Sequence, residues 1–177
     1  MKLLLYLILL GGMALKTTAQ SSEGYIVDQK GDTLFGEVNW IGDPFFIERI
    51  NINGQEKMMK DLTAFFNGKN KLYQFRQDSI WCKVRVLGPM SLLQHVGHYF
   101  VEKDSQWVWL ENDQQVLTSY AYSKVKTTHR YRKILNYLMS DCGDFQNELA
   151  SVKYVDKPLI KVVEAYNLCR RAPYIVY

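Results

Sequence analysis

The chain has 177 residues, a length suited to one domain with its own core. It is 47% hydrophobic, 14% aromatic and 23% charged, which excludes a disordered chain and suits a packed globule. The formal net charge is +4, but two of the 22 basic residues, Lys2 and Lys16, fall in the first twenty positions. Without them 20 basic residues face 18 acidic ones, a net +2, so charge argues against a nucleic-acid partner and only weakly for an anionic membrane.

The first twenty residues have the layout of an export signal. Lys2 gives the positive start, residues 3–15 the apolar stretch, and Thr17-Thr18-Ala19 the small residues that a signal peptidase needs. Cleavage is expected after Ala19, leaving Gln20 first and a single exported α+β domain over 20–177. The apolar stretch, about 13 residues, is short of the roughly 20 that span a bilayer. No cysteine lies near the cleavage point to receive lipid, and no second long apolar run follows. The expected address is therefore extracytoplasmic and oxidising: the periplasm or the outer-membrane surface.

From Gly24 to about Lys126 the pattern is strand-like. Residues 25–27 and 33–40 flank the turn 29–32, where Gly31 permits positive φ and Asp32 is expected to hydrogen-bond within the turn. Residues 47–52 and 56–60 straddle Asn53-Gly54, a type I′ hairpin signal. Residues 71–76 and 79–86 pair around Gln77-Asp78, and strands over 92–101, 107–110 and 116–122 continue the series. Strands this regularly spaced, with turn residues between them, predict an antiparallel meander or curved sheet over about 24–126, not βαβ units.

At about Thr128 the period changes to 3.6. Tyr131, Ile134, Leu135, Leu138 and Met139 form one helical stripe, with Thr128 as its expected N-cap. Asp144 is the expected cap of a second helix with Phe145, Leu149 and Val152 inward. Asp156 is the expected cap of a third, with Pro158 in its first turn and Leu159, Val162, Val163, Tyr166 and Cys169 inward. The whole predicts a sheet followed by a C-terminal unit of about three helices over about 128–170.

Three cysteines remain, Cys82, Cys142 and Cys169. Cys82 alternates with Lys83 and Arg85 in step with Ile80, Val84 and Val86, which places it on the buried face of a strand as a small apolar filler. Cys142 and Cys169 stand at helix ends in polar surroundings and are the expected disulfide, closing the helical unit.

The runs Gly24-Tyr25-Ile26-Val27 and Gly31-Asp32-Thr33-Leu34-Phe35-Gly36-Glu37-Val38, then Trp40 and Pro44, resemble the start of a group of exported Bacteroidota proteins with a GYI…GDT..G.I opening. At the far end Arg130-Tyr131-Arg132, Asp141-Cys142 and Tyr166-Asn167-Leu168-Cys169 resemble that group's closing YN.C segment, whose cysteines pair. In the middle, Leu93-Gln94-His95-Val96-Gly97 matches the group's LV.G only in part. The resemblance implies a Gram-negative envelope address and supplies no active site. Longer members continue into an outer-membrane β-barrel. This chain ends at Tyr177, eight residues after Cys169, so the expectation is a module without that barrel.

Candidate chemistry is sparse. His95 and His98 have an i, i+3 spacing that on one strand points to opposite faces, so no shared metal is expected. Cys82 as a nucleophile would need exposure beside cations, whereas Lys83 and Arg85 should face away from it. Trp107 and Trp109 share one strand face and form the candidate binding surface for a sugar or a peptide. The leading reading is a non-catalytic exported envelope module that works by binding or scaffolding, with an envelope protein or a glycan as partner. It expects no cofactor, no metal, no nucleic acid, and no integral membrane segment after cleavage. The alternative is an envelope hydrolase whose site is assembled from scattered residues.

Overall fold

Alternating side chains in the first two thirds build strands, and the 3.6 period that follows builds helices. The computed structural model describes residues 23–76, 80–112, 114–118, 123–143 and 145–177. The expected export signal, the Gln77-Asp78 turn and the Asp144 cap lie outside these residues. The strands are β1 Gly24–Asp28, β2 Thr33–Gly36, β3 Val38–Asn39, β4 Arg49–Ile52, β5 Gln55–Met58, β6 Leu62–Phe66, β7 Leu72–Arg76, β8 Ile80–Leu87, β9 Met90–His95, β10 His98–Lys103, β11 Gln106–Leu110, β12 Gln114–Thr118 and β13 Ser123–Thr127. Then come α1 Arg130–Leu138, α2 Gln146–Ala150, α3 Asp156–Cys169 and the short β14 Ile175–Val176. The fold is α+β, with strands first and helices after.

The main sheet is open and antiparallel, in the order β11-β10-β9-β8-β7-β6-β1-β2, with β14 added against β8. It is not one uninterrupted meander. The β1–β2 hairpin attaches to β6, while β3, β4 and β5 leave to form a separate three-stranded sheet, and β12–β13 pair with each other. The departure occurs at Gly36, where a Cβ would run into the Asn53 side chain. That amide accepts from Glu37 N–H at 2.9 Å and donates to Phe35 C=O at 3.2 Å, clamping the crossing. The stretch 92–101, expected as one strand, is the β9–β10 hairpin. It folds back at Val96 and Gly97, with φ of 43° and 79°. A β-branched residue rarely adopts positive φ, so Val96 concealed a turn that Gly97 alone announced weakly.

Cross-strand register sorts the two faces of the main sheet. On one face Ile26, Phe65 and Tyr73 pair in a row that continues through Lys83 and Gln94 to Tyr99 and Leu110. The apolar start of that row, with Trp81, is covered by Val38, Ile50 and Ile52 of the small sheet. Its far end, with Leu92 and Val101, is covered by Tyr131, Leu135, Leu159, Val163 and Tyr166 of the helices. The opposite face carries the row Phe35, Tyr25, Phe66, Leu72, Val84, Leu93, Phe100, Trp109, which runs unbroken from edge β2 to edge β11.

The helical unit keeps its predicted apolar stripe, but the caps expected at Thr128 and Asp156 are replaced. His129, in the left-handed region at φ 47°, precedes α1 in place of Thr128, and Tyr131 N–H is taken up by Glu111 C=O at 2.8 Å. Val155 precedes α3, and Asp156 is spent elsewhere: it accepts from Tyr99 O–H at 2.7 Å and pairs with Arg85 at 2.8 Å. Cys169, expected on the inner face of α3, is exposed. It is bonded to Cys142 with Cα atoms 6.1 Å apart, and Cys82 is free and buried. Among the described residues no helix is long and apolar enough to cross a membrane.

Candidate functional site

The β10–β11 hairpin turns at Asp104 and Ser105, both at positive φ, and this pairs Lys103 with Gln106. That register fixes everything upstream of it. Trp107 stands opposite Glu102 and Trp109 opposite Phe100, so both tryptophans project from one face of an edge strand, as their spacing predicts. Phe100 lies flat on Trp107, with ring centroids 4.4 Å apart and 7° between planes, and 6.4 Å from Trp109. His98 meets Trp109 edge-on at 5.6 Å. Trp107 is half-buried, while Trp109 is 48% exposed. The result is a ladder of flat rings at the open end of the long apolar row.

A polar group adjoins this ladder. Arg76 on β7 reaches Glu102 on β10 at 3.0 Å, in an ion pair whose N–H is not aligned for a hydrogen bond. The Trp107 indole Nε1 is also buried without an acceptor. A buried donor left unpaired costs about 1–3 kcal/mol, and with no accessible surface of its own this N–H is closed to an incoming ligand. Cys82 lies on the same sheet face and is fully buried. Burial pushes its thiol up to about 11, with Arg76 pulling down and Glu102 pushing up. At neutral pH it is a protonated apolar filler, the opposite of an activated nucleophile.

The other sequence candidates are dispersed. His95 and His98 are direct cross-strand partners in the β9–β10 hairpin, not residues on opposite faces of one strand as expected. Their rings nevertheless have different neighbours: His95 Nδ1 meets Trp81 C=O at 2.8 Å and its ring packs on Phe45, whereas His98 packs on Trp109. Among the described residues no three His, Cys, Asp or Glu side chains group to hold a metal ion. In the β1–β2 turn Asp32 hydrogen-bonds through its backbone, its C=O accepting from Asp28 N–H at 3.0 Å, while the side-chain acceptor is Asp28. Its Oδ1 takes the Lys30 and Asp32 N–H groups at 2.8 and 2.9 Å, because a carboxylate at the start of a turn reaches back over it.

Sequence reasoning found the two tryptophans and missed Phe100, Glu102 and Arg76. With 92–101 read as one strand, the alternation of His98, Phe100 and Glu102 opposite Trp109 and Trp107 could not be placed. In comparisons with known protein families, characterised proteins and solved structures, nothing matches this chain.

Proposed function

We infer that this is an exported, non-catalytic binding module of the cell envelope, and that the Phe100–Trp107–Trp109 face takes a glycan. The observation that carries the reading is the ring ladder: Trp107 stacked flat on Phe100, with Trp109 beside them 48% exposed. A sugar offers what this surface is built for. Its C–H face lies flat on exposed Trp109, and its hydroxyl groups meet the adjoining Arg76–Glu102 pair. The dispersal of His95, His98 and Cys82 into structural roles favours binding over hydrolysis.

The test is titration of the folded protein with envelope oligosaccharides. Trp109→Ala removes the exposed ring and is expected to lower affinity about tenfold. Undiminished affinity in Trp109→Ala would overturn the assignment. Export is read from the N-terminus of protein recovered from its own cell. It is expected near Gln20, and an intact Met1 on cytoplasmic protein would contradict it.

A further inference from the structure

The covered face of the main sheet is not apolar throughout. Its row runs from Ile26, Phe65 and Tyr73 to Tyr99 and Leu110, but the two positions between, Lys83 on β8 and Gln94 on β9, belong to neither apolar cluster beneath the covers. Register makes Lys83 and Gln94 direct partners, with Tyr73 on the other side of Lys83. Both are partly exposed, so solvent reaches the sheet between the small sheet and the helices. Arg85 reaches the same side, where it pairs with Asp156 of α3. Apolar residues here would have joined the two clusters into one core. A central strand carries two cations instead.

The charges around Lys83 do not cancel. Among the described residues its ammonium has no hydrogen-bond or ion-pair partner. Asp156 is already shared, accepting from Tyr99 O–H at 2.7 Å and pairing with Arg85 at 2.8 Å. Burial, and then Arg85, hold the Lys83 ammonium below its ordinary pKa; Asp156 opposes them, and Lys71, exposed just before β7, adds to them. The strongest charge acting on Lys83 is therefore a like charge. Asp43, on the small-sheet side, acts on Tyr73 and accepts from Phe45 N–H at 3.0 Å, so it does not supply the missing charge. Lys71, Lys83 and Arg85 against Asp156 leave two positive charges unmatched. A neutral donor stands beside them, because Gln94 Nε2 makes only a long bond, 3.4 Å, to the Tyr99 hydroxyl. A dianionic oxyanion matches that excess and that donor, whereas a carboxylate would leave one charge over.

We propose that the Lys83–Gln94 floor between the two covers holds a dianionic phosphoryl group, of a phosphate monoester or of inorganic phosphate, with Lys83 and the Gln94 amide in contact and Lys71 as the second cation. The probes are inorganic phosphate, glycerol 3-phosphate, dimethyl phosphate and acetate, each titrated calorimetrically at one ionic strength into protein purified from the cell that makes it. Wild type is expected to bind inorganic phosphate or glycerol 3-phosphate at one site. Dimethyl phosphate and acetate, each with a single charge, are expected to bind at least about tenfold more weakly. Preference for glycerol 3-phosphate assigns the site to a phosphorylated ligand, preference for inorganic phosphate to the free ion, and either supports it. Lys83→Met is expected to weaken phosphate binding more than about tenfold. Because it removes a repelled, partly buried charge, its Tm in phosphate-free buffer should equal or exceed that of wild type. Lys71→Gln is expected to weaken binding by a smaller factor. No binding by wild type, equal affinity in Lys83→Met, or equal affinity for acetate overturns the proposal. So does a lower Tm of Lys83→Met without phosphate, which would make the lysine a structural contact. The site lies on the opposite sheet face from Trp109, so oligosaccharide binding there is independent of each of these outcomes.

Discussion

Asn167 lies fully buried on α3 and faces the turn between β8 and β9. Its Oδ1 accepts from Met90 N–H and its Nδ2 donates to Met90 C=O, both at 3.0 Å, so one side chain satisfies both backbone groups of a buried residue. Gly88 is required beside it, because a Cβ there would sit 2.8 Å from Nδ2. Asn167→Ala leaves both Met90 groups buried and unpaired. It is expected to cost about 2–4 kcal/mol in urea unfolding, and a loss below about 1 kcal/mol would contradict this role. One residue back, Tyr166 O–H donates to Asp141, which also binds Lys103 at 3.0 Å and Arg170 at 3.1 Å. Burial alone would push the Asp141 carboxyl up, but hydrogen bonds from Lys103 and Tyr166 and the charges of Lys103 and Arg170 prevail and hold it below its ordinary value. A carboxylate depressed by folding stabilises above its unfolded pKa, near 3.9, and that stability is lost as pH falls through the folded value. The stability gap between wild type and Asp141→Asn should therefore be present at pH 6 and close as pH falls below about 4; a gap that widens in acid would contradict the assignment. The inward placement of Cys82 was legible, because alternation with Lys83 and Arg85 states it locally. The role of Asn167 was not, because a polar residue on a helix reads as solvent-facing until its partner, 77 positions away, is known.

The disulfide acts between elements. It joins Cys142, in the 3-10 turn after α1, to Cys169 at the end of α3, across a separation of 27 residues. The chain-entropy relation assigns such a loop about 3–4 kcal/mol. Reduction, or Cys142→Ser with Cys169→Ser, is expected to lower stability by about that amount, with Cys82 inert to alkylation until the sheet opens; alkylation of Cys82 in the native disulfide-bonded protein would contradict its burial. At this scale the helix stripes were legible because 3.6-residue periodicity is written in adjacent turns. Their caps were not, because the donors at the start of α1 and the carboxylate of Asp156 are claimed by the sheet, through Glu111, Tyr99 and Arg85. The β9–β10 hairpin was hidden by the valine in its turn. That single misreading also displaced His95, His98 and Phe100, since a chain reversal changes which residues face each other.

The whole molecule divides its surfaces by the two faces of one sheet. The face that carries Phe65, Tyr73, Tyr99 and Leu110 is closed by the small sheet at one end and the disulfide-bonded helical unit at the other. The opposite face carries an apolar row whose middle, Leu72, Val84 and Leu93, is buried and whose two ends are exposed aromatics, Phe35 at 61% and Trp109 at 48%. Closing one face with a cross-linked cap gives the other a rigid backing, which is what a pre-organised binding surface needs. The α+β class and the two tryptophans were legible because each is a local pattern. The unbroken row was not, because it exists only once eight strands are in register. The central claim is that the Trp107–Trp109 face takes a glycan, and the most direct measurement is a ¹H–¹⁵N spectrum of the four tryptophan indoles during titration with envelope oligosaccharides. Saturating shifts at Trp107 and Trp109, with Trp40 and Trp81 unmoved, are the predicted result. Unmoved Trp107 and Trp109 signals across the whole oligosaccharide panel would contradict it.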